Sequence, residues 1–165
     1  MIGLFAGCAV DPINALQTFS LDSSLACGIT PSTTVGVDTD WTFTLNLTPQ
    51  LDSNGTKPSL IHSAKVSRIL LYGTPNYPLT NLSNARLYLR SDSLSETLVG
   101  QLTTFANGQK AQADLQPIMI ELATALHDSV IVFHLKAKVM VKPAELDSII
   151  CRPTLTLIVE PTLAP

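Results

Sequence analysis

Apolar and polar residues alternate along much of this chain, and period-2 alternation marks a half-buried β-strand. In DWTFTLNLTP, Trp41, Phe43, Leu45 and Leu47 share one face, and Thr42, Thr44, Asn46 and Thr48 share the other. NARLYLR turns Ala85, Leu87 and Leu89 inward and Arg86, Tyr88 and Arg90 outward. The longest run, SVIVFHLKAKVMV, places Ile131, Phe133, Leu135, Ala137, Val139 and Val141 inward; Val130, Val132, His134, Lys136, Lys138 and Met140 face out. CRPTLTLIVEP closes the set with Cys151, Leu155, Leu157 and Val159 on one side. Its Pro153 has no ladder donor, which predicts a sheet edge or a strand start.

Weaker strands are expected at QTFSL (17–21), TTVGV (33–37) and ETLVGQL (96–102). In SAKVSRILLYG the inward set Ala64 and Val66 slips by one residue to Ile69 and Leu71, which predicts a β-bulge at Ser67–Arg68. Turn chemistry separates these runs at DSNGTKP (52–58), GTPNYP (73–78) and ANGQ (106–109). One segment departs from the pattern. ADLQPIMIELATALHDS sets Leu115, Ile118, Met119, Leu122 and Leu126 at helical spacing behind Asp114, predicting a short helix near 115–126.

Seven or eight short strands with at most one helix predict an all-β fold, an antiparallel β-sandwich of immunoglobulin-like or jelly-roll topology. No β–helix–β alternation supports a parallel sheet. Residues 1–12 read as a targeting or anchor segment, or as an ordered arm, ahead of a single domain over 13–165.

Composition sharpens this picture. The chain has 165 residues, 45% hydrophobic but only 14% charged, so Ser, Thr, Asn and Gln supply most of its polar surface. That balance suits an extracytoplasmic β protein more than a charged, helical cytosolic enzyme. A net charge of −3 disfavours general nucleic-acid binding, which needs a basic excess to displace counterions.

Candidate chemistry is sparse. Nucleophile-elbow, phosphate-loop, dinucleotide and zinc-protease motifs are not found, and His62, His127 and His134 have no partner that spacing alone exposes. No enzyme activity, cofactor or metal is expected. Asp52, Asn54 and Gly55 begin like a calcium loop without its closing Glu, and a tight turn explains them. Asp38 and Asp40 flank a strand and would discourage edge pairing. Asn46, Asn54 and Asn81 each open a glycosylation sequon. The surface expected to bind is the outward face shared by Arg86, Tyr88 and Arg90 with His134, Lys136 and Lys138, a basic patch for an anionic ligand if the two strands adjoin.

Three cysteines, Cys8, Cys27 and Cys151, leave an odd thiol in a chain of secreted composition. The LFAGC ending at Cys8 resembles the lipobox of bacterial lipoproteins: Ala6 and Gly7 match its small positions, and Phe5 replaces the usual Leu. That resemblance implies a lipid on Cys8, and it leaves Cys27 and Cys151 to form a disulfide. The alternatives are the same disulfide without lipid, and three reduced, buried cysteines.

Two functions fit these residues. One is a binding or structural module tethered to a membrane through Cys8, at a cell surface. The other is a self-assembling subunit of a capsid, decoration or filament, in a virion or other extracellular assembly, with MIGLFAGCAV as an arm on neighbouring copies.

Overall fold

Ile131, Phe133, Leu135, Ala137 and Val139 alternate with outward residues and are all fully buried, which makes their strand a central one. The computed structural model describes residues 16–160. Nine strands follow the chain: β1 (Gln17–Asp22), β2 (Leu25–Ile29), β3 (Asp38–Asn46), β4 (Ile61–Tyr72), β5 (Leu82–Arg90), β6 (Thr97–Thr104), β7 (Gln112–Pro117), β8 (Val130–Val139) and β9 (Asp147–Val159). Two short helices, α1 (Thr48–Ser53) and α2 (Ala123–Leu126), lie in the connections.

All pairings are antiparallel, and they nest. β1 and β2 pair with β9, β3 with β8, β4 with β7 and β5 with β6. This is one long hairpin folded over on itself, with β5–β6 as its innermost turn. Two further pairings, β4–β9 and β5–β8, then lay β1/β2–β9–β4–β7 and β6–β5–β8–β3 out as the two halves of a curled sheet. β6 and β7 join the halves through only two register pairs, Gly100↔Pro117 and Gln101↔Gln116. Nested pairing of this kind is the jelly-roll topology, and it decides between the two sandwiches that alternation left open.

The inward faces meet in one core, in which Ala85, Leu87, Leu89, Ile69, Leu71, Leu155 and Leu157 join the β8 residues. The slip in β4 falls where expected: its register on β9 shifts between Val66 and Arg68, while Ala64, Val66, Ile69 and Leu71 all stay buried. At the open seam between β2 and β3, half-buried Trp41 donates from Nε1 to the Gly28 carbonyl at 2.8 Å. A side chain thus bridges two strands that share no ladder.

Several expectations are corrected. TTVGV is a loop with Gly36 at φ +83°, not a strand. LACGI, which is not among the expected strands, is β2, its backbone drawn onto β9. Pro153 sits inside the central strand β9: its carbonyl accepts from Ser23 N–H at 3.2 Å, so its missing donor faces the break between β1 and β2. The helix expected near 115–126 shrinks to α2, because Ala113 and Leu115 alternate inward as β7 and Pro117 ends that strand. Asp114 is accordingly a strand residue paired with Arg68, not a helix cap. Val141 lies past the end of β8 and is half exposed rather than inward.

Candidate functional site

β5 and β8 do adjoin, and their register sets Arg86 beside Lys136 and Tyr88 beside His134. Five of the six sequence-derived residues, all but Arg90, therefore share one surface, but it is not a basic one. β3 runs along the other side of β8, bringing Asp38 opposite Lys138 and Asp40 opposite Lys136. Arg86 reaches Asp38 in a short ion pair, and Lys136 Nζ lies 3.1 Å from Glu96 and 3.9 Å from Asp40. His134, largely enclosed, has Asp40 at 3.5 Å and Glu96 at 3.8 Å from its Nδ1. The hydrogen bond that Lys136 donates to Glu96, more than any other influence, holds its ammonium above its usual pKa. Lys136 also lies over the Tyr88 ring, 4.8 Å from its centroid. Arg90 stands apart at the far end of β5, near Asp92, Val130 and Val132. Alternation located the cations. It did not reveal that Asp38, Asp40 and Glu96 interleave with them, because cross-strand register is a tertiary property.

Cys27 and Cys151 are both buried, and both are free thiols, so the expected disulfide is not formed. The register explains it. Cys27 pairs with Ile149 and Cys151 with Leu25, so the cysteines are diagonal neighbours. Diagonal Cα atoms are about 7–8 Å apart, at or beyond the reach of a disulfide. Burial pushes the Cys27 thiol up to about 12 and Cys151 higher still, which keeps both protonated and unreactive. Cys8 and the arm over residues 1–12 fall outside the described residues, and the domain expected from 13 onward is described over 16–160.

The remaining sequence candidates are scattered. His62 pairs with Glu160 at 2.8 Å, and His127 donates to the Ile61 carbonyl at 2.9 Å. Asn54 and Gly55 form the turn after α1, with Gly55 N–H on the carbonyl of Asp52 in the helix's last turn. Asn46 and Asn54 are exposed at one end of the sandwich, while Asn81 lies at the other, its carbonyl accepting from Met140 N–H. Among the described residues there is no group of three or more His, Cys, Asp or Glu placed to hold a metal, and no helix is long and apolar enough to cross a membrane.

Periodicity did not reveal the most distinctive surface. Among the described residues, Val35, Val37, Met140, Val141 and Leu146 are five of the eight exposed large hydrophobic side chains, and all five lie in loops at one end. These loops are 30–37, 73–81, 105–111 and 140–146. They are held firmly to one another. Gly73 N–H donates to Ala111 O at 2.9 Å, Leu79 N–H to Lys110 O at 2.8 Å, and Gly36 N–H to Val139 O at 2.9 Å. Tyr77, fully buried, donates its hydroxyl to Val141 O at 2.8 Å, and burial raises its pKa to about 12. Leu146 is 75% exposed, the most of any large apolar side chain described. A sequence signal did exist: in VMVKP the apolar run continues past the strand without alternating.

No protein-family model matches this chain, and no curated protein does. Among solved structures it is similar to one of Desmodium yellow mottle tymovirus, at 11% identity over 88% of this chain and 91% of that chain, with a TM-score of 0.33. It is similar to infectious bursal disease virus, Gt strain, at 13% identity and a TM-score of 0.44, over 92% of this chain but only 33% of that one. It is also similar to the decameric BFDV capsid protein, at 16% identity over 87% of this chain and 98% of that chain, with a TM-score of 0.38. At these identities the likenesses add nothing about activity, and the jelly-roll assignment stands on the strand pairing itself.

Proposed function

We propose that this chain is a structural subunit that assembles with further copies of itself through its apolar loop end. The observation that carries this reading is the cluster of Val35, Val37, Met140, Val141 and Leu146 on loops already fixed by hydrogen bonds. Exposed apolar side chains gathered at one end on a held frame fit a contact surface. Jelly rolls serve as capsid, lectin and cupin domains, so the fold alone leaves the function open. The low charge of the chain fits burial in broad contacts between subunits. The apolar MIGLFAGCAV segment would act in the same assembly as an arm on a neighbour, and a virion is one setting for it. No lipid on Cys8 and no anionic ligand on the β5–β8 face is needed.

Sedimentation velocity and light scattering on the purified chain at tens of micromolar, with electron microscopy of any particle, test the reading. The wild-type chain should form a defined oligomer or shell. The double variant Val37→Lys, Leu146→Lys should be monomeric with an unchanged melting temperature. A monomeric wild type, or a double variant that assembles equally well, would sink the proposal.

A further inference from the structure

A second feature lies on the outward face of β3–β8–β5–β6. Here β5 breaks its register on β8 between Ser83 and Arg86, and Asn84 takes the left-handed φ of +51°. Asn accepts that conformation at modest cost, and bulges commonly re-aim side chains beside binding sites. Next to the bulge a groove of about 390 Å³ opens between Asp38, Asn84, Arg86, Gln101, Thr103 and Lys138. Its volume falls in the range of small-molecule sites.

The lining defines a chemistry. Arg86 is pinned by Asp38 through one terminal nitrogen; its Nε is enclosed without a partner, and its other terminal nitrogen makes no hydrogen bond among the described residues. Lys138 has no ion-pair partner among them, so the groove carries two cations against one carboxylate. The side chains of Asn84, Gln101 and Thr103 are likewise unengaged among the described residues, offering amide and hydroxyl groups to a ligand. No aromatic side chain lines the groove, so affinity would come from polar contacts.

We infer that this groove binds a small acid sugar: one carboxylate on Lys138 and the second terminal nitrogen of Arg86, with hydroxyls on Asn84, Gln101 and Thr103. One surplus positive charge matches one carboxylate, and the groove has more room than a bare oxyanion fills. The site needs no residue from a second copy.

Saturation-transfer NMR, which reads the ligand whether the protein is a monomer or a particle, tests this with glucuronate at low ionic strength. Glucose and inorganic phosphate are the controls. Glucuronate should give a saturable signal, weakened about tenfold by Lys138→Met and about threefold by Gln101→Ala, with melting temperatures unchanged. Both controls should bind at least about tenfold more weakly. No saturable glucuronate signal, or an affinity unmoved by Lys138→Met, would overturn the site. Glucose binding equally well would overturn the role of the charge, and phosphate binding equally well would overturn the role of the hydroxyls.

Discussion

The two ends of the sandwich are built from the same kinds of loop, yet they finish differently. At the end formed by 47–60, 91–96 and 118–129, apolar side chains turn back into the core: Leu47, Leu51, Leu122 and Leu126 are buried plugs. Carboxylates there satisfy the backbone. Glu121 accepts from Ser63 Oγ at 2.6 Å, Ala64 N–H at 2.8 Å and Ala123 N–H at 2.9 Å, and Asp128 accepts from Ser93 N–H and Oγ. The opposite end is equally well hydrogen-bonded, but Val35, Val37, Met140, Val141 and Leu146 point outward. Backbone satisfaction and apolar burial are therefore separate achievements. The first end leaves only Met119 exposed among the large apolar side chains of these loops, whereas the other buries Tyr77 and Leu79 but leaves five exposed, and a neighbouring copy would cover them.

The largest break in this comparison should come from emptying a plug. Leu126→Ala is expected to cost about 2–5 kcal/mol, read as a lower denaturation midpoint at unchanged slope. Leu146→Ala should stay within about 0.5 kcal/mol while it weakens assembly. If both variants lost stability alike, the two ends would not differ as described.

Rigidity of the apolar end is next. A Cβ on Gly73 would lie 2.9 Å from the carbonyls of both Lys110 and Tyr77, backbone atoms with no freedom to yield. Gly73→Ala should therefore cost about 1–3 kcal/mol, and a neutral result would mean that these loops are loosely held. A smaller effect, about 1 kcal/mol, is expected from Tyr77→Phe, which strips the hydroxyl from the Val141 carbonyl. Hydrogen exchange should rise in 140–146 and stay flat in 118–129.

The smallest effect concerns acid. Burial alone would raise the Glu121 pKa, but the hydrogen bonds from Ser63, Ala64, Ala123 and Leu122 outweigh it and leave it below the usual glutamate value. A group depressed in the folded state adds stability above its unfolded pKa, and that stability is lost as pH falls through the folded one. Wild type should thus lose stability on acidification through and below the ordinary carboxylate range. Glu121→Gln should flatten that limb slightly, and an unchanged acid limb would remove Glu121 from the account of this end.

Strand interiors were legible because burial on one face imposes period 2 regardless of partners. The inward sets of β5 and β8 up to Val139, and the slip in β4, follow from the residues alone. Where backbone pairing overrode local preference, the sequence misled. LACGI looks like a loop until β9 offers it a ladder, and Leu115 fits a helix until β4 pairs with its strand. The candidate surface was half legible: Arg86, Tyr88, His134, Lys136 and Lys138 were found as outward residues. Their counter-ions were not, because Asp38 and Asp40 meet them only through β3–β8 pairing, across about a hundred residues of chain.

By itself, the sequence determined an all-β chain, the inward face of its main strands and a surface poor in charge, since each depends on side-chain transfer energies and local period. Tertiary structure alone decided the nested pairing, the diagonal placement that keeps Cys27 and Cys151 apart, the neutralised β5–β8 face and the gathering of apolar loop residues at one end. Each of these depends on which distant segments become neighbours. Alternation specifies that a strand has an inside, and only the fold specifies what stands beside it.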